Sequence, residues 1–187
     1  NEYLEFEINQ RTQQVVALQN VTTLALASLA ETRDTDTGNH LRRTQHYVLA
    51  LARKLRTHPR FSDFLTETRM QALFKCAPLH DIGKVGIPDR VLLKPGKFEP
   101  HEWSVMKQHP ALGHDALARA QVDAHASSEF LEIAKEIVHS HHEKWDGSGY
   151  PQGLVGDAIP ISARLMALAD VYDALISRRV YKAAAPH

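Results

Sequence analysis

With one cysteine, Cys76, in 187 residues, the sequence cannot build an internal disulfide framework, and a reducing cytoplasm is its natural setting. It has no run of 18 or more apolar residues and no signal-like start, so hydropathy supplies no membrane-spanning helix. It has no excess of either charge, with 22 Lys and Arg against 22 Asp and Glu. That balance lacks the basic field of a general nucleic-acid binder, so DNA is not an expected partner and any anionic ligand needs a local cluster. It also lacks alternating strand patterns of useful length, internal repeats and low-complexity tracts.

What remains is helical periodicity in a chain that is 43% hydrophobic, enough for one principal all-α domain. Leu4, Ile8, Arg11, Val15, Leu18, Thr22, Ala25 and Leu29 recur at alternating spacings of four and three, a near-heptad stripe on one helix. That helix, residues 1–30, suits either pairing with a copy of itself or lying on its own domain. Asn1 in place of Met leaves room for a preceding segment.

Punctuation marks the later helices. Asp36, Thr37 and Gly38 read as the start of a helix through Val48 and Leu55 to a stop near Pro59. Thr66 to about Leu79 reads as the next, with Pro78 expected to kink it. Pro88, Pro95 and Gly96 mark a loop, Pro100 and Pro110 suit helix first turns, and Ser127 or Ser128 and then Ser162 open the last two helices.

Histidine is abundant, 12 copies, and concentrated in short motifs. His58, His101 and His125 sit among polar residues in expected loops and read as solvated, and His187 is terminal. The others differ. On the helix from Ser128, His141 continues the stripe of Phe130, Ala134 and Ile137, and His142 continues that of Leu131, Ala134 and Val138. Buried imidazoles need partners, since an unpaired buried polar group costs about 1–3 kcal/mol. Two in succession, ahead of Glu143 and the glycine-rich GSGYP, favour metal ligation over ordinary core hydrogen bonding. In LHDIGK, His80 and Asp81 offer a nitrogen and a carboxylate able to bridge two cations, and Lys84 offers a charge for a phosphate.

DTGNHLRR, HDIGK, HHEKWDGSGYPQGL and ADVYDALISRRVYK, in this order from about Glu31 to Lys182, resemble the HD-GYP family of bacterial cyclic di-GMP phosphodiesterases within the HD phosphohydrolase superfamily. The resemblance implies an HD-domain-like helical bundle over residues 31–187 with metals held between helices, preceded by the 1–30 connector. Family domains generally continue further, so this one is expected to be trimmed after His187. The implied ligands are His40, His80, Asp81 and Asp170, with Asp81 bridging to a second metal on His109, His141 and His142. Two divalent transition-metal ions are therefore expected, iron or manganese first, with nickel or zinc able to occupy similar sites. Where many relatives carry a third-metal glutamate this sequence has Asp36, equally suited to a helix N-cap, which leaves a third metal in doubt.

The same resemblance gives Lys84, Arg179 and Lys182 phosphate- or ligand-contacting roles and places Tyr150, Gly147 and Gly149 at the substrate. Asp34 and Asp173 match acidic positions that orient ligands or the attacking water. As alternatives, Arg179 and Lys182 are plain surface charges, and Tyr150, Gly147 and Gly149 serve only the loop. The implied reaction opens cyclic di-GMP to pGpG, with GMP as a further product. Two other readings stay open: a phosphohydrolase preferring pGpG or another nucleotide, and a catalytically weak module that senses nucleotide or contacts proteins. The implied setting is two-component signalling in the cytoplasm, with an upstream receiver domain, a homodimer through the first helix, and signalling proteins docking at the GYP loop.

Overall fold

The structure, a computed structural model, describes residues 2–32 and 39–177. Asp34, Asp36, Arg179, Lys182 and the helix start expected over residues 36–38 lie outside the described residues. Within them the chain runs through α1 (Glu2–Glu31), α2 (His40–Leu55), α3 (Glu67–Cys76), a 3-10 segment (Ala77–Gly86), α4 (Asp89–Leu92), α5 (Pro100–Met106), α6 (His109–Asp123), α7 (Glu129–Ser140), a short 3-10 turn (Gly156–Ala158) and α8 (Ile161–Ile176). The described residues form no strand, only an isolated antiparallel bridge between Asp146 and Val155. No helix among them is long and apolar enough to cross a membrane.

Helix starts follow local chemistry. Thr66 and Ser128 accept from the backbone N–H of Arg69 and Leu131, each at 3.3 Å, and cap α3 and α7. Glu99 and Glu102 form a reciprocal capping box on α5, and Pro100 and Pro110 occupy first turns of α5 and α6. His101 sits on α5 rather than in a loop, and it is exposed there like His58 and His125. The core forms where α2, α3, α7 and α8 meet, around Val48, Leu73, Ile137, Val138 and Met166, none more than 0% exposed. A smaller cluster of Ile87, Val91, Leu92 and Met106 seats α4 and α5.

Two expectations change. The helix expected to reach Leu79 ends at Cys76, and the chain tightens into ten residues of 3-10 helix that carry the His80–Asp81 pair. Pro78 explains this: it has no N–H for the carbonyl of Phe74 and its ring crowds that oxygen. The buried side chain of Gln45 donates to Phe74 O instead, at 2.9 Å. The stripe on α1, secondly, does not lie on the domain. Every one of its residues is exposed, while Thr23, Ala27 and Ala30 on another face are buried against the rest of the chain. Small residues let that face approach closely.

Candidate functional site

Helix ends and the 3-10 segment converge on one centre. His40 and His109 are the first residues of α2 and α6, His141 and His142 directly follow α7, and Asp170 and Asp173 lie on α8. The 3-10 segment reaches α6 because Gly83 has no side chain: a Cβ there would overlap the carbonyl oxygen of His109 and approach Gly113 N to 2.6 Å. This contact sets Asp81 beside His109.

The backbone fixes the imidazoles. His80 Nδ1 lies 2.9 Å from Ala77 O, His109 Nδ1 2.8 Å from Met106 O, and His141 Nδ1 3.0 Å from Ile137 O. A carbonyl can only accept, so each Nδ1 is the donor and, in the neutral ring, each Nε2 carries a lone pair. Those Nε2 atoms point inward at Asp81. His109 Nε2 and His141 Nε2 lie 3.2 and 3.7 Å from Asp81 Oδ1, and His80 Nε2 lies 3.3 Å from Asp81 Oδ2. Lone pairs facing a carboxylate repel unless a cation stands between them. The three Nε2 atoms and Asp81 Oδ1 are buried without hydrogen-bond partners, the state a metal ion relieves.

Two groups of donor atoms, each drawn within 4.8 Å, fit divalent ions: Asp81, His109, His141 and His142, and His40, His80 and Asp170. Asp81 joins them, one oxygen facing each group. Mixed nitrogen and oxygen donors suit first-row transition metals. Burial disfavours protonation of His141, and the charges of His80 and His109 add to the effect. Burial likewise takes His142 down to about 2. For His80 burial acts in the same direction, but Asp81 and Asp170 outweigh it and draw the ring up to about 9, so that without a cation between them a proton on Nε2 takes the cation's place. For Asp81, burial favours the acid, yet the charges of Lys84 and His80 hold the carboxyl well below the usual range. The site is thus arranged around an ionised Asp81.

Asp173 stands one layer out. It is buried, lies 2.8 Å from His40 Nδ1 and takes two bonds from Arg43, at 2.6 and 2.9 Å. That position orients His40 Nε2, 3.7 Å from Asp170 Oδ1. Lys84 Nζ lies 2.7 Å from Asp81 Oδ2. Tyr150 stacks on His142 with ring centroids 4.7 Å apart. Gly147 has φ +78°, and a Cβ on Gly149 would overlap the backbone of Lys144, so loop packing alone demands both glycines.

Sequence reasoning missed Arg43, although its place three residues after His40 puts it on the same helical face. It also left Glu143 among the ligand candidates' surroundings. The buried carboxylate turns into the loop and accepts from Gln152 N at 2.7 Å and Leu154 N at 2.9 Å.

A family model described as HD domain matches residues 24–187. Among curated proteins, the chain is 58% identical over its whole length to a Vibrio cholerae protein named "Probable cyclic di-GMP phosphodiesterase", of which it covers 42%. It is 58% identical over 93% of its length to a second Vibrio cholerae protein, named cyclic di-GMP phosphodiesterase, covering 35% of it. It is 45% identical over 85% of its length to the cyclic di-GMP phosphodiesterase response regulator RpfG of Xanthomonas campestris, covering 38% of it. The chain therefore spans less than half the length of these relatives.

Proposed function

Because the chain belongs to the HD domain family, we propose that it is a metal-dependent phosphodiesterase that opens cyclic di-GMP to pGpG. The names of its relatives support the substrate, and the inward, unpartnered Nε2 atoms around Asp81 carry the chemistry. His40, His80 and Asp170 would hold one ion and His109, His141 and His142 the other, with Asp81 between the two groups. When bound there, divalent ions such as iron or manganese would supply Lewis-acid polarisation of a phosphoryl oxygen and lower the pKa of water.

The chain's own residues do the rest. Lys84, beside Asp81, offers its ammonium to a non-bridging phosphate oxygen. Asp173 and Arg43 keep His40 turned inward, and Tyr150 lines the substrate side of His142. Arg179 and Lys182 contact phosphate, and Asp34 orients water. Asp36 is assigned no third ion.

The test is metal content measured together with product formation from cyclic di-GMP, after anaerobic loading with iron or manganese, against a His80→Ala/Asp81→Ala chain. Metal-dependent pGpG formation that vanishes in the double variant is expected, and a time course shows whether GMP follows. Bound metal and nucleotide without turnover under either loading would turn the reading to a nucleotide sensor.

We place this activity in the cytoplasm, on a domain over residues 31–187, with residues 1–30 as a connector from an upstream receiver domain. The exposed stripe of α1 pairs with a second copy, and the GYP loop serves docking proteins. Sedimentation of the full chain checks the pairing: Val15→Glu with Leu18→Glu should turn a dimer into a monomer, and a monomeric unaltered chain removes the idea.

A further inference from the structure

Trp103 is the side chain near the centre whose position the fold alone does not explain. It lies on α5, whose capping box fixes its start and whose Met106 carbonyl holds His109 Nδ1 at 2.8 Å. Trp103 is therefore tied to a candidate ligand through three residues of helix. The apolar cluster beneath α5 is made by Ile87, Val91, Leu92 and Met106, with Phe98 and Val105 packed against it. Trp103 stays outside, 43% exposed.

Its neighbours form an aromatic path to the centre. Phe98 stacks against Trp103 with centroids 6.1 Å apart and planes 20° apart. Tyr150 meets it at 5.9 Å and 81°, and Tyr150 in turn stacks on His142 at 4.7 Å. Two ring contacts thus lead from a candidate metal ligand to a half-exposed indole. Rings set nearly perpendicular make a corner, in which a planar group laid on one face meets the edge of the other. An ordinary core aromatic would be buried instead. Trp145 is also exposed, but the guanidinium groups of Arg60 and Arg164 stand over its ring at 5.3 and 5.7 Å.

We propose that Trp103, with Tyr150, is the stacking surface for a purine base of the substrate whose phosphodiester lies at the Asp81 centre. This rests on the phosphodiesterase reading and adds a specificity residue to it. Planar aromatic faces bind bases irrespective of their hydrogen-bonding edges, so the corner selects for a base without dictating guanine over adenine.

The test uses the metal-loaded full chain. Trp103→Ala should raise KM for cyclic di-GMP about 5- to 150-fold, the range expected for one lost base stack. Its kcat should stay within about threefold and its metal content should not change. Trp103→Phe should recover most of the loss. In a Trp145→Phe chain Trp103 is the only indole, since the sequence holds two, and cyclic di-GMP should quench its fluorescence. An unchanged KM in Trp103→Ala, or a joint fall of kcat and metal content, overturns the proposal. If the unaltered chain shows no turnover at all, the phosphodiesterase reading fails by itself. Quenching of the lone Trp103 would then still support the stacking surface, and its absence would overturn it.

Discussion

Asp173 Oδ2 lies 2.8 Å from His40 Nδ1, across 133 residues of sequence, and the same carboxylate grips Arg43 through both oxygens. Such outer partners fix the orientation of a ligating imidazole and raise its basicity, and their loss typically weakens metal binding 10- to 100-fold. Asp173→Ala should therefore weaken the ion held by His40, His80 and Asp170 by about that factor, while the group around His109 keeps its ion longer. Chelator titration with metal counting reads this directly, and simultaneous loss of both ions would argue against separate sites. Arg43 retains 31% of its side chain in water, so its lost pairing costs less than that of a buried charge.

Glu143 does for the loop what Asp173 does for His40. Its two oxygens each accept one backbone N–H, from Gln152 and Leu154, in the loop that carries Tyr150 to His142. A hydrogen bond to a charged group contributes about 1.5–3 kcal/mol. Glu143→Ala should leave the metal content intact, speed proteolytic cleavage within residues 144–155, and raise KM more than it lowers kcat. Glu143→Gln, retaining one acceptor oxygen, should fall between. Metal loss equal to that of a ligand variant would instead make Glu143 part of the centre.

Gly83 is the sharpest steric constraint near the site. An added methyl would meet the carbonyl of His109, which is backbone and cannot swing aside. Overpacking of this kind costs about 1–3 kcal/mol or more. Gly83→Ala should lower the melting temperature and, by separating the 3-10 segment from α6, reduce metal occupancy at Asp81 and His109. Gly96, with nothing within 4 Å of its Cβ position but φ +98°, is the comparison. Gly96→Ala should show backbone strain alone, without metal loss.

His141 and His142 stood out because imidazoles continuing an apolar stripe need buried partners, whereas His40, His109 and Asp170 were reached only through the family resemblance. The contacts that hold the site together were not legible. Arg43 and Asp173 meet across 130 residues, and Gln45 reaches Phe74 across 29, distances at which sequence periodicity carries no information. The 4-3 spacing on α1 was visible, but the face that packs consists of Thr23, Ala27 and Ala30, too small and too weakly apolar to stand out. Pro78 announced a break in the helix without announcing that ten residues would tighten to 3-10. Gln45 is the consequence that can be tested. Gln45→Ala strands the partly buried carbonyl of Phe74 and should cost about 1 kcal/mol in urea unfolding. Gln45→Glu should cost more, since it removes the donor and adds a charge. A neutral effect of either would mean that Phe74 O finds another donor.

Cys76 contributes to the fold's sensitivity to alkaline pH. It is fully buried in the core, Sγ 3.3 Å from Phe130 O, and burial pushes its thiol pKa far up, with Lys75 offsetting only part. In the unfolded chain the thiol titrates near 8.5. Below that pH both states hold the proton, and the contribution to stability is fully present. Above it the unfolded chain releases the proton while the folded one keeps it, so stability falls by up to about 1.4 kcal/mol per pH unit until the folded thiol ionises. The urea midpoint should therefore decline from pH 8 to pH 10, and the decline should be shallower in Cys76→Ala, whatever the cavity costs at pH 7. Over the same range Cys76 should resist iodoacetamide in the folded protein and react promptly in urea. Equal slopes in the two chains, or rapid alkylation without denaturant, would show that the thiol is not held in the dry core.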